Sequence, residues 1–276
     1  MIYLAAAAPA PPPVPSLFIF YPGSVAQFLA MFLFCLLVYV MTQRAKAGAP
    51  VPPIRKIPGL EAVDEAIGRA TEMGRPVHFT TGLGGVDSAA TFAGWAFLGH
   101  IAKQCALYDT KLINTNRYYV VMTVCEEIIR QGYLEAGRPD AFNPDDVRYL
   151  SDSQFAFATG VLGIFQREKP AANIMIGYFY AESLLFAEGG YLSGAIQIAG
   201  TTNTAQLAFF MTACDYTLIG EEIYAASAYL SKEPVLLGSV VGQDIGKIVT
   251  FVVIILGTVL QNIQGKSNWL TGILNK

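Results

Sequence analysis

The sequence predicts an α/β fold, a parallel, Rossmann-like sheet with helices on both faces, flanked by two transmembrane helices. Three observations predict it. The composition is 53% hydrophobic and only 14% charged, with mean hydropathy +0.43, whereas an average soluble domain is about one-quarter charged. Two charge-free apolar stretches lie near the ends of the chain, each about long enough to cross the hydrocarbon core as a helix. Between them, short apolar runs close on small polar residues and lead into helical patterns, the alternation expected of a parallel sheet covered by helices.

Residues 1–23 are a Pro/Ala-rich N-terminal segment containing PAPPPVP, and residues 24–43, SVAQFLAMFLFCLLVYVMTQ, are the first predicted span. A cleaved signal peptide is the competing reading. It is disfavoured because no Lys or Arg precedes the run to form a basic leader and because the run follows prolines. Residues 44–59 form a basic, Pro-rich juxtamembrane linker with Arg44, Lys46, Arg55 and Lys56, an extended spacer whose charges could also touch anionic headgroups.

The main domain is expected over residues 60–244. Leu60, Val63, Ile67 and Ala70 recur at helical spacing and open it with an amphipathic helix that Gly74 and Pro76 stop. Six strand-like runs follow, PVHFTTG, KLINTN, VRYLSDS, ANIMIGYFYAES, AIQIAGTT and DYTLIGEE, each leading into a helix. The rival reading takes residues 173–231 as further membrane spans. Glu182, Glu188, Asp215, Glu221 and Glu222 interrupt those windows and would be costly at bilayer depth. The second span is expected over 246–264, followed by a tail, 265–276, with Lys266, Trp269 and Lys276 as interfacial anchors.

Charge orients the chain. All 21 acidic residues and 11 of the 18 basic ones lie between Glu61 and Asp244, and the flanks carry basic residues only. Four basic residues follow the first span and none precedes it, which places the main domain in the cytoplasm of a two-pass cell-membrane protein. Lys247 before the second span and Lys266 and Lys276 after it bias the other way, but the first helix usually dominates. Cys35, Cys105, Cys125 and Cys214 show neither CxxC nor metal-ligand spacing, so they read as reduced thiols.

Ligands of open parallel sheets bind outside the carboxyl ends of the strands. The residues expected on that rim are Thr80, Thr81, Gly82, Asn114, Asn116, Ser151, Asp152, Glu182, Ser183, Thr201, Thr202, Asn203, Glu221 and Glu222. Within TTGLGGVDSAA, Gly82 and Gly84 fit a dinucleotide fingerprint, but Asp87 replaces the third glycine and no lysine follows for a phosphate loop. A turn with Asp87 or Ser88 as helix cap is therefore favoured over phosphate binding. Glu221, Glu222 and Glu182 could hold a cation, but acids at helix starts also favour the macrodipole, and capping is preferred. His78 and His100 are the only histidines, and no catalytic constellation or metal site follows from them.

The sequence thus points to a non-enzymatic, membrane-anchored scaffold or assembly subunit that self-associates through a charge-poor, Tyr- and Phe-rich surface. The alternatives are a ligand-sensing or enzymatic domain using the rim, and a polytopic channel or transporter subunit. Expected partners are the lipid bilayer and further copies or other membrane subunits, not nucleic acid, and no cofactor is assigned. The stretch from Asn173 to Asp244 resembles a family of prokaryotic membrane proteins carrying a domain of unknown function, a likeness extending over most of the domain and the second span. The resemblance implies a membrane-attached domain and no chemistry, and it transfers no functional residues.

Overall fold

A computed structural model of the chain describes residues 25–48, 58–231 and 233–264. Six parallel strands form one sheet: β1 (Val77–Gly82), β2 (Leu112–Asn116), β3 (Val147–Tyr149), β4 (Ala172–Tyr178), β5 (Ile196–Thr201) and β6 (Tyr216–Ile219), in the order β3-β2-β1-β4-β5-β6. All six lie in the runs expected to be strands. β1, β2 and β4 are almost wholly buried, as strands covered on both faces must be.

One face carries α2 (Pro58–Met73), α3 (Ala89–Leu107), α4 (Tyr119–Glu135) and α8 (Glu222–Ser231), which bury Val63, Ile67, Phe97, Ile101 and Ile223 in one core. The other carries α5 (Gln154–Glu168), α6 (Glu182–Ser193) and α7 (Thr204–Ala213), which bury Phe157, Phe165, Phe186 and Phe210. A fully buried Phe contributes about 1.5–3 kcal/mol, so the two aromatic-rich cores explain how so charge-poor a domain closes on itself. The helices of residues 173–231 have 12, 10 and 10 residues, too short to cross a bilayer, and the segment also supplies β4, β5 and β6. The polytopic reading of this segment is therefore overturned.

A polar row crosses the sheet beneath α5 and α6. Gln197 donates to the carbonyls of Ala187 and Ala213, so its Oε1 accepts from Asn173 Nδ2 at 3.2 Å. Asn173 Oδ1 then accepts from His78 Nδ1–H at 2.8 Å, and His78 Nε2 accepts from the Thr115 hydroxyl at 2.9 Å. Because backbone carbonyls only accept, the chain of donors fixes the neutral Nδ1–H tautomer of His78. Burial, the dominant cause, pushes the His78 pKa down to about 4, opposed by the bond to Asn173 and reinforced by the positive charge of Arg148. The row locks the register of four strands, since a one-residue slip would turn every member to the other face.

Outside the domain, α1 (Val25–Lys46) and α9 (Pro234–Gln264) pack against each other. Both are long and apolar enough to cross a membrane. A Cβ at Gly238 would stand 2.7 Å from Thr42 Cα, one at Gly242 3.0 Å from Val38 Cα, and one at Gly246 2.5 Å from the Phe34 ring. One partner climbs four residues as the other descends four, so the helices are antiparallel with their backbones in close approach over a G-xxx-G-xxx-G face. α9 begins at Pro234 rather than near Gly246, so the boundary expected after residue 244 falls inside a continuous helix. The expected N-terminal segment, the C-terminal tail and most of the juxtamembrane linker, with Arg55, Lys56, Lys266, Trp269 and Lys276, lie outside the described residues.

Cys105 and Cys125 are buried and Cys214 is half-buried, with burial pushing the thiols of Cys125 and Cys214 up to about 12 and that of Cys105 further up. They are poor nucleophiles. Cys35 is exposed on α1.

Candidate functional site

The chain leaves β1 toward β2 and β3, returns through α5 to place β4 on the other side of β1, and continues outward to β5 and β6. The strand order therefore reverses between β1 and β4. The segment after β1 turns to one face and the segment after β4 to the other, and the gap between them is where doubly wound sheets hold ligands. A crevice of about 590 Å³ lies there. Its walls are Leu83 to Ser88 after β1, Arg117 and Tyr118 after β2, Val120 and Val121 of α4, and Tyr178 and Tyr180 at the end of β4.

Local sequence accounts for the shape. Gly82 has φ +74°, and a Cβ there would lie 2.5 Å from the Tyr178 carbonyl oxygen, so only glycine lets the ends of β1 and β4 approach. A Cβ at Gly84 would lie 2.1 Å from Thr91 Oγ1, a buried hydroxyl with no hydrogen-bond partner among the described residues. The glycines thus serve close approach, in line with the turn reading. Ser88 occupies the N-cap position of α3, though without a side-chain bond, and its neighbour Asp87 is exposed on the loop.

Six side chains with polar atoms line the crevice: Asp87, Ser88, Arg117, Tyr118, Tyr178 and Tyr180. Arg117 donates from Nε to the Asp152 carbonyl at 2.8 Å and lies 4.8 Å over the Tyr118 ring, which fixes its guanidinium. Its two Nη groups and the Asp87 carboxylate have no partner among the described residues, which leaves one cation and one anion for a ligand. Tyr178 donates to Tyr180, and this bond raises the Tyr178 phenol above its ordinary pKa.

Most of the rim residues expected from the sequence lie near or just past the strand ends, with Asn114 in the middle of β2, and many bond within the domain rather than lining the crevice. Thr80 donates to the Thr115 carbonyl at 3.0 Å, and Asn114 to that of Phe79 at 3.3 Å. Asn116 donates to Asn114 Oδ1 while its own Oδ1 is buried without a partner among the described residues. Thr81 is buried and Thr202 half-buried, and Ser151 accepts from the Ser153 N–H at 3.1 Å. Thr201 Oγ1 accepts from Asn203 N–H, and Asn203 caps α7 and donates to the Phe179 carbonyl.

Glu182 is fully buried, accepting from the Tyr180 N–H at 2.8 Å and from Gln154 at 2.7 Å, while Ser183 donates to Gln206. Glu222 accepts from the Ile219 N–H at 2.9 Å, and Glu221 pairs with Lys247 at 2.6 Å. Asp152 contributes its carbonyl. Glu182, Glu221 and Glu222 therefore do not converge, and no group of three or more metal-ligating side chains occurs among the described residues.

The residues that sequence reasoning missed are Arg117, Tyr118, Tyr178 and Tyr180. Arg117 and Tyr118 follow β2, the neighbour of β1, and Tyr178 and Tyr180 end or follow β4, so only the strand order brings them together at the switch point.

The chain matches the family described as "Domain of unknown function (DUF6754)" over residues 16–271, and belongs to it. No curated protein and no solved structure matches the chain.

Proposed function

We propose that this chain is a two-span membrane protein whose α/β domain binds a small ligand bearing both an anionic and a cationic group in the switch-point crevice. The single observation that carries the reading is an open crevice at the strand reversal with two charged walls, the Nη groups of Arg117 and the Asp87 carboxylate, that have no partner among the described residues. Arg117 takes the anionic part in a bidentate fork. Asp87 and the faces of Tyr178 and Tyr180 suit a cationic part. The same carboxylate disfavours a polyphosphate, so a dinucleotide is not the ligand proposed.

The test is a thermal-shift screen of the full chain in detergent with amino acids, phosphocholine and nucleotides, since a ligand that binds only the native state raises the melting temperature. A zwitterion that stabilises the wild type and neither Arg117→Ala nor Asp87→Ala supports the reading. Equal stabilisation of all three, or of none by any compound, sinks it. The cytoplasmic placement of the domain is part of the proposal and rests on Arg44 and Lys46 at the end of α1. Reporter fusions after Lys56 and after Lys276 should report cytoplasm and exterior, and the reverse pattern would refute it.

A second reading, the self-associating scaffold, is favoured by the lower end of α6, where Tyr191 and Leu192 are 76% and 77% exposed beside a groove of about 540 Å³ between α5 and α6. Native mass spectrometry from mild detergent should then show a multimer that Leu192→Asp dissociates. A strictly monomeric wild type would end this reading.

A further inference from the structure

From the path of α9 we infer that the ligand edge of the sheet is pressed against the lipid bilayer, so that the switch-point crevice opens into the headgroup layer. The inference rests on the two-span reading above.

Two points fix the path. α8 starts at the carboxyl end of β6 and runs away from the rim, and α9 starts just past its far end, at Pro234, and packs back along it. Thirteen residues later Lys247 Nζ meets Glu221 Oε2 at 2.6 Å, at the carboxyl end of β6. At 1.5 Å per residue that climb is about 20 Å, which matches the height of a six-residue strand at about 3.3 Å per residue. Beyond Lys247 the helix continues past the rim from Ile248 to Gln264 without a charged residue, and Ile248, Phe251, Ile254 and Val259 are exposed. The apolar section of α9 therefore leaves the domain on the ligand-edge side.

The apolar surface of the α1–α9 pair also reaches down beside the rim. Phe34 lies against Gly246 and Val38 against Gly242, yet Leu36, Tyr39 and Val40 of α1 are exposed. The hydrophobic belt therefore extends about 9 Å below the level of Gly246, six residues of helix.

The rim matches this depth. Helix first turns usually attract acidic residues, but those of α3, α4, α5 and α7 contain none, Glu182 of α6 is buried, and Glu222 of α8 accepts from a backbone N–H. Tyr119, Val120, Phe155, Tyr180, Leu184 and Ile219 are exposed around the rim, and the charged groups beside them are Asp87, Arg117, Asp152 and the Glu221–Lys247 pair. The opposite edge also exposes apolar side chains, but among Lys103, Glu135, Arg138, Arg167, Glu168 and Lys169. A collar of exposed tyrosines and aliphatic side chains beside a few charges suits a surface lying at a membrane–water interface, and it is continuous with the α1–α9 pair that spans the membrane.

The test uses the full chain with Cys35→Ala and Cys214→Ser, reconstituted in phosphatidylcholine vesicles that carry a nitroxide near the top of the acyl chains. Single cysteines replacing Tyr119 or Phe155 on the rim, Tyr108 or Tyr191 on the opposite edge, and Val253 on α9 each carry an environment-sensitive fluorophore. The expected result is loss of fluorescence and a blue shift at both rim positions and at Val253, with the opposite-edge labels unchanged. Rim labels that behave like the opposite-edge labels while Val253 is quenched would overturn the docking and leave the spans standing. An unquenched label at Val253 would remove the two-span reading, and the docking with it.

Discussion

Acidification should destabilise the domain through one residue, His78. Its pKa is lowered to about 4 by burial against an ordinary 6.5, so between those values the unfolded chain binds a proton that the native state refuses. Stability from this source is fully present above pH 6.5 and is lost as the pH falls toward 4. Linkage gives a loss of about 2 kcal/mol by pH 5 and about 3 kcal/mol by pH 4. For a domain of this size each kcal/mol moves the melting temperature by about 2–4 °C. The assay follows unfolding of the full chain in detergent through Trp95, which packs against the core of the domain, at pH 7, 6, 5 and 4. His78→Asn is the reference, because it removes the titrating group while the other ionisable residues stay. At pH 7 the variant should be the less stable, by about 1–3 kcal/mol, since Asn173 and Thr115 lose partners. The gap should then close by about 3 kcal/mol on reaching pH 4. A gap that stays constant across this window would refute the reasoning, because it would mean that His78 protonates as readily in the fold as outside it.

Gly84→Ala should destabilise by about 1–3 kcal/mol through its clash with Thr91 Oγ1, and Thr91→Ala should recover most of the loss; strictly additive unfolding energies in the double-mutant cycle would contradict the contact. Gly238→Leu should drive α1 from α9, because a side chain there meets the Thr42 backbone, and should be read as reduced disulfide cross-linking between cysteines placed at Thr42 and Ser239. Unchanged cross-linking would show that the backbones do not approach. Glu182→Ala leaves the Tyr180 N–H and the Gln154 amide without their acceptor, and chemical denaturation should show a loss of about 2–3 kcal/mol. A change under 0.5 kcal/mol would deny Glu182 its capping role.

The six strands were legible because each is a short apolar-rich run that ends in small polar residues suited to a turn and leads into a helical pattern. Their order was not, since it depends on contacts such as those of β1 with β4, whose paired residues Val77 and Ala172 are far apart in the chain. Without that order Arg117 and Tyr178 look like any residues at a strand end. The start of α9 was missed for another reason. Asp244 and Lys247 interrupt a charge-free window, whereas the glycines at 238, 242 and 246 already carried the period of a close helix contact. The polar row of His78, Asn173 and Gln197 was invisible because its members come from three strands and act only once those strands pair.

The carboxyl edge looked in the sequence like one shared polar site because every strand ended in Thr, Asn, Ser or Glu. In the fold those groups divide by what the backbone demands of them. Asn203 accepts the Ala205 N–H at the start of α7, and Glu182 and Glu222 accept from the Tyr180 and Ile219 N–H groups that precede their helices, so their charge and polarity are spent within the domain. α3, α4, α5 and α6 begin without a side-chain cap, and the starts of α3 and α4 flank the crevice. Their first-turn N–H groups, with Arg117 between them in the chain, place donors beside the crevice. The donor-rich side of the crevice therefore arises where capping fails, and the anionic part of the proposed ligand belongs there, on Arg117 rather than on the rim residues that the sequence made conspicuous.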